Sequence, residues 1–199
     1  MNYRMEKTEM VIGGQFAAQT GAVKASGNVA SASWRDTAKR NFILQMGFKD
    51  PAPAVRPQQY TALVFQPKVV LIAVLAGTFF QSQGVFLALC TVLWWSALFP
   101  KLNPISALYN RTIGKRLGAF RLVPAPAPRR AAETEAGTIA LAIALLIHFG
   151  FNNAAYVLEA ILLAAVLAVL IASFCTGTFM YHMVRGRWNF VRQTLPWAN

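Results

Sequence analysis

The stretch 136–184, AGTIALAIALLIHFGFNNAAYVLEAILLAAVLAVLIASFCTGTFMYHMV, carries one charged side chain, Glu159. A single bilayer crossing needs about 20 mostly apolar residues. The stretch is too long for one crossing and fits two, divided at the polar turn Gly150-Phe151-Asn152-Asn153. Upstream, residues 69–99 hold no charge at all, and Gln81-Ser82-Gln83-Gly84 divides them in the same way. The fold class that follows is an all-α integral membrane protein, with four transmembrane helices in two hairpins and a long extended N-terminal tail. A soluble domain carries about 25% charged residues, whereas this chain carries 13%, against 56% hydrophobic.

Outward from those spans the chain divides into five parts. Residues 1–59 form a polar tail, poor in core-forming residues from Met10 to Ser33. Within it, Trp34, Ala38, Phe42 or Ile43, and Met46 recur at helical spacing, which suggests a short amphipathic helix over 34–46 lying in the membrane interface. Residues 60–100 make the first hairpin, with helices expected over 67–81 and 85–99. Residues 101–130 make a basic, proline-rich loop. Its alternating Pro124, Pro126 and Pro128 read as a stiff extended strut. Residues 131–184 make the second hairpin, with helices expected over 131–149 and 154–183. Residues 185–199 form a basic tail with Trp188 and Trp197 as interface anchors. Residues 1–40 have no apolar core of the signal-peptide kind, so the tail is expected to be kept.

Charge sets the expected orientation. Of the 19 basic residues, all fall before or at the start of the first helix, in the middle loop, or after the last helix. Both short turns are uncharged. The positive-inside rule then places the termini and the middle loop in the cytoplasm. The net charge of +12 fits that rule and contact with anionic lipids. It does not require nucleic acid, for which no module is recognisable. Residues expected at a lipid or partner surface are Trp34, Arg35, Phe42, Trp94, Trp95, Lys115, Arg116, Arg129, Arg130 and Trp188.

Few side chains in the spans can carry chemistry. Glu159 sits near the outer end of the fourth helix; it is either a proton or cation site, or a carboxylate hydrated or paired with Asn152 or Asn153. His148 and His182 lie at opposite ends of the second hairpin. Each can ligate a haem or chlorophyll metal through a ring nitrogen, or rest bonded to water or backbone. The cofactor expectation is bacteriochlorophyll, carotenoid or haem, held mainly by partner subunits. Cys90 and Cys175 fall inside expected helices, where cysteine serves as a small packing group. Small residues at 164, 165, 168 and 172 suit close helix approach. No hydrolase, zinc-protease, P-loop or dinucleotide signature is present.

Three segments carry a family resemblance: Phe99-Pro100-Lys101-Leu102-Asn103-Pro104, the proline joint 124–130, and Phe174-Cys175-Thr176-Gly177-Thr178-Phe179-Met180-Tyr181. Over residues 85–183 the chain resembles the bacterial membrane family called domain of unknown function 4395. Members show phenylalanine-cysteine-x-glycine-cysteine followed by tyrosine. Cys175 and Gly177 match that pattern, and Thr178 stands where the second cysteine would be. The resemblance implies that any chemistry of a cysteine pair is lost here. The function expected first is a non-catalytic accessory subunit of a larger membrane complex of photosynthetic or respiratory type, packed on other membrane subunits. The alternatives are a redox or sulfur-handling enzyme using Cys175, or a pigment- or haem-binding protein using His148 or His182. Transport is the weakest reading, because an ion path needs more than Glu159.

Overall fold

The computed structural model describes residues 34–114 and 120–196. The expected extended tail before Trp34, together with Lys115, Arg116 and Trp197, lies outside the described residues. Those described form helices and no strands. In chain order, α1 spans Trp34–Gln45, α2 Arg56–Phe80 and α3 Gln83–Leu98. A 3-10 turn, Pro100–Leu102, leads to the short α4, Pro104–Tyr109. Then come α5 over Ala127–His148, α6 over Asn152–Ala172, α7 over Thr176–Val184 and α8 over Trp188–Gln193. By length and composition α2, α5 and α6 can each cross a membrane. Helix α3 has 16 residues, about 24 Å at 1.5 Å per residue, and is shorter than a usual span.

The helix ends follow from local chemistry. Pro57 occupies the first turn of α2, where its missing N–H leaves nothing unpaired. The helix therefore begins at Arg56, well before the expected residue 67, and Pro67 falls inside it. There Pro67 offers no N–H to the Leu63 carbonyl one turn earlier. The turn from α2 to α3 is held by Gln81 in the left-handed region at φ 44° and by Ser82, whose side chain accepts from the Val85 N–H. The proline strut ends at Pro126, the N-cap of α5, and Pro128 sits in that helix's first turn.

Packing brings the helices into a bundle in which α3 lies most extensively on α5, and α6 packs on both α5 and α2. Close crossings occur at glycines. A methyl group on Gly77 of α2 would come 2.8 Å from the Phe86 ring of α3. One core contains Val74, Phe86, Leu93, Ala140, Ile143, Ala144 and Leu162. A second, at the basic end, gathers Phe42, Ile43, Leu63, Tyr109 and Leu122. Large apolar side chains such as Ile72, Phe79, Phe80, Phe149, Phe151 and Ile171 stand outward, as a helix surface solvated by acyl chains requires.

Two expectations are corrected here. Helix α1 forms where its spacing predicted, but it is no free interfacial helix: Phe42 and Ile43 are fully buried, and Phe42 packs edge-on against Tyr60 of α2. Phe42 therefore has no surface for lipid or a partner. Burial of two large apolar groups against α2 is worth about 3–6 kcal/mol, more than a shallow interface provides. The second correction concerns 154–183, expected as one helix. It breaks after Ala172 and restarts at Thr176. Ser173 takes a left-handed conformation at φ 53°, which costs a non-glycine residue roughly 1–2 kcal/mol. The Tyr60 hydroxyl, 2.8 Å from Ser173 Oγ, holds it there.

Candidate functional site

The break in the last long helix sets the site. Cys175 is the extended N-cap of α7, not a residue within a helix. Burial pushes its thiol up, while the backbone N–H groups of Thr178 and Gly177 at the start of α7 draw it partly back. The Thr178 hydroxyl donates to the Cys175 carbonyl at 3.0 Å. Gly177 is needed for the approach of α7 to α5, because an added methyl would come 2.8 Å from the backbone of Ala132.

Facing the break, the first turns of α5 carry Arg129 and Glu133, one helical turn apart and on one face. They are 4% and 5% exposed. Arg129 Nε lies 3.3 Å from Glu133 Oε1, and its Nη2 donates to Gln66 Oε1 of α2 at 2.6 Å. Arg129 Nη1 and both Glu133 carboxylate oxygens are buried without a hydrogen-bond partner in the protein. The neighbouring Arg130 points the other way; it is exposed and donates to the Ala97 carbonyl near the end of α3 at 2.6 Å, where a cation is favoured by the helix dipole.

Arg129, Glu133, Gln66 and Cys175 line one cavity of about 120 Å³, whose remaining wall is mostly apolar and includes Leu63, Val70, Leu93, Ile139 and Leu162. By stability alone the arrangement is poor. A cation in the first turn of a helix opposes the dipole. The order arginine then glutamate is the weaker of the two i,i+4 orientations. Removing two charges from water costs several kcal/mol each before they attract one another. A buried ionisable pair with unused hydrogen-bonding atoms, opening on a cavity, is a candidate site for chemistry or binding.

The other sequence candidates go elsewhere. Glu159 is 2% exposed and accepts from Gln81 Nε2 at 3.2 and 3.3 Å. Its protein partner is Gln81 in the α2–α3 turn and not Asn152 or Asn153, because α2 and α6 pack together. His148 is exposed, with Nδ1 3.3 Å from Gln83 Oε1. His182 is 2% exposed, packed at 4.6 Å on the Phe190 ring. Its Nε2 is 3.1 Å from the Gln45 carbonyl at the end of α1. A carbonyl can only accept, so the proton sits on Nε2, and Nδ1 is buried without a hydrogen-bond partner in the protein. Asn41 and Gln45 donate to the Leu195 and Thr194 carbonyls at 2.9 and 2.6 Å. The C-terminal segment is therefore bound to α1. Trp34, Arg35, Trp94, Trp95, Arg130 and Trp188 are exposed; Arg129 is not, and it leaves the surface set. Among the described residues no cluster of three metal-ligating side chains occurs.

Reading by sequence missed Gln66, Arg129 and Glu133 as a site. Arg129 and Arg130 look alike as a loop flank, and only helical phase separates them. A signal existed: Gln59, Ala62, Gln66, Val70, Val74 and Gly77 follow helical spacing, so the two glutamines belong to a buried stripe.

The fold and this cavity define an α-helical bundle of membrane type with a polar pocket beneath a broken last helix. The chain belongs to the family described as Domain of unknown function (DUF4395), whose model matches residues 61–185. No curated protein and no solved structure matches the chain.

Proposed function

We propose that this chain is a membrane-embedded thiol protein in which Cys175 is the reactive group and Arg129 and Glu133 are the polar contacts for a molecule occupying the cavity. The observation that supports this most is the buried, partly unpartnered Arg129–Glu133 pair opening onto the same space as Cys175. The test is maleimide labelling of the full chain in native membranes. Cys90, buried on α3, serves as the internal comparison. Labelling that is faster than at Cys90 and absent in Cys175→Ser supports the reading; labelling no faster than at Cys90 removes it.

The setting belongs to the same proposal. The chain crosses a bacterial inner membrane four times, α3 completing its crossing with the residues that flank it. Both termini and the basic middle loop are cytoplasmic, next to anionic lipid. The charge partition supports this, and a reporter at Asn152 that proved cytoplasmic would overturn it. A second reading, an accessory subunit of a larger membrane complex, is favoured by residues 10–33, whose composition provides little to bury. Deleting residues 1–33 should then leave insertion unchanged and weaken co-purification with other membrane proteins. Unchanged co-purification counts against it.

A further inference from the structure

We infer that a groove between α5 and α7 is the docking site for the headgroup of a phospholipid that carries a primary amine, a phosphate joined to a free ammonium. Glu135 and Arg185 are the two charges that bound the stretch 136–184 on either side. The fold brings both to one groove of about 300 Å³. Ala131 and Glu135 line it from α5, one turn apart. Gly177, Met180, Tyr181 and Val184 of α7 and its C-cap Arg185 form the opposite wall, and steps of three and four put them on one helix face. A space of this size lies at the lower end of the range for small-molecule clefts. It takes a headgroup and leaves the acyl chains outside, along Met180 and Val184, which are exposed. Glu135 and Gly177 also line the cavity beside Cys175, but neither Cys175 nor Arg129 takes part in the groove.

The two charges are held apart and left open. A Cβ at Gly177 would lie 2.8 Å from Glu135 Oε2, so the carboxylate rests over the first turn of α7, where the helix dipole favours an anion. The Arg185 guanidinium lies 5.0 Å from the centre of the Tyr181 ring, one turn back toward Gly177. Among the described residues neither Glu135 nor Arg185 makes an ion pair, with the other or with a third residue. An acceptor pair and a fork of N–H donors therefore flank a mostly apolar floor. Phosphate suits the guanidinium, whose planar fork matches its oxygens. A primary ammonium brings N–H donors to Glu135. A quaternary amine has none to bring. A head with phosphate alone sets its charge against Glu135, and a lone cation leaves Arg185 unmet. The source is a lipid, because both side chains stand where an apolar segment of membrane type gives way to polar chain, the depth at which charged side chains reach headgroups.

The experiment uses the full chain purified in detergent, with native mass spectrometry reading the first lipid retained from an equimolar mixture of phosphatidylethanolamine, phosphatidylcholine and phosphatidylglycerol with the same acyl chains. Physiological ionic strength screens the rest of the basic surface. Phosphatidylethanolamine should bind once per chain and about tenfold more tightly than phosphatidylcholine, the worth of a hydrogen bond to a charged group. Glu135→Gln should abolish that preference. Arg185→Met should weaken both lipids about tenfold, and Arg185→Lys, which keeps the charge without the planar fork, should lie between. Arg111→Met, at an exposed position outside the groove, should change neither. The folding of each variant is checked by its melting curve. Equal retention of phosphatidylethanolamine and phosphatidylcholine overturns the inference, as does tighter retention of phosphatidylglycerol or an undiminished preference in folded Glu135→Gln. Soluble phosphoethanolamine that displaces the lipid at equal concentration also overturns it, by assigning the groove to a free zwitterion.

Discussion

Replacing Arg129 by alanine should destabilise this bundle more than removing any exposed arginine. The substitution leaves Glu133, 5% exposed, as a buried carboxylate with no counter-charge, and strips Gln66 of its 2.6 Å donor. Breaking a buried pair from one side costs about 3–5 kcal/mol. The lost bond to Gln66 is part of that figure, because the same guanidinium makes both contacts. For a chain of this size about 1 kcal/mol moves the melting temperature by roughly 2–4 °C, so the expected fall is on the order of 6–20 °C. The assay is circular dichroism melting in detergent, with Arg111→Ala as the control. Arg111 is exposed, and its loss should change stability by no more than about 0.5 kcal/mol. Arg129→Met with Glu133→Leu should recover most of the loss, because an apolar pair of similar volume often replaces a buried ion pair without penalty. A fall in Arg129→Ala no larger than in Arg111→Ala would refute the reasoning: the pair would then not be desolvated, and its placement would signify nothing about function.

Further outcomes follow from the same geometry. Gly177→Ala should lower the melting temperature by several degrees through the 2.8 Å approach to Ala132, at a cost of about 1–3 kcal/mol for overpacking; an unchanged melt removes the close contact. Burial holds the His182 pKa below its usual value, with the Gln45 carbonyl raising it and Arg187 lowering it. The unfolded chain therefore binds that proton more readily. Stability is complete above the unfolded value near about 6.5 and is lost as pH falls below it, so melting between pH 8 and 5 should show a drop that His182→Asn reduces. Maleimide labelling of Cys175 should keep rising with pH beyond the free-thiol value of about 8.5, because its thiol is pushed up; a plateau near neutrality contradicts that. Thr178→Cys restores the cysteine pair that the family resemblance implies, and mild oxidation should then form an internal disulfide, read as loss of two hydrogens by mass spectrometry.

Hydropathy along the chain was enough to mark the apolar segments and the uncharged turns between them, because a bilayer responds to local sums of transfer free energy. Family membership was legible in the same way, from motifs contiguous in sequence. The α1 helix too could be found from the spacing of Trp34, Ala38, Phe42 and Met46, although not where it would pack. The break at Ser173 could not be found: Ser173-Phe174-Cys175 contains no proline or glycine, and the conformation is held by Tyr60 from a distant helix. Nor could the opposite fates of Arg129 and Arg130, two adjacent and chemically identical side chains. One turns inward to Gln66 and Glu133, the other outward to Ala97. Which of them is buried depends on the rotation of α5 against α2 and α3, a property of packed helices and not of any one segment. The cavity exists only where those three helices, α6 and the start of α7 converge, so tertiary structure alone decided the site.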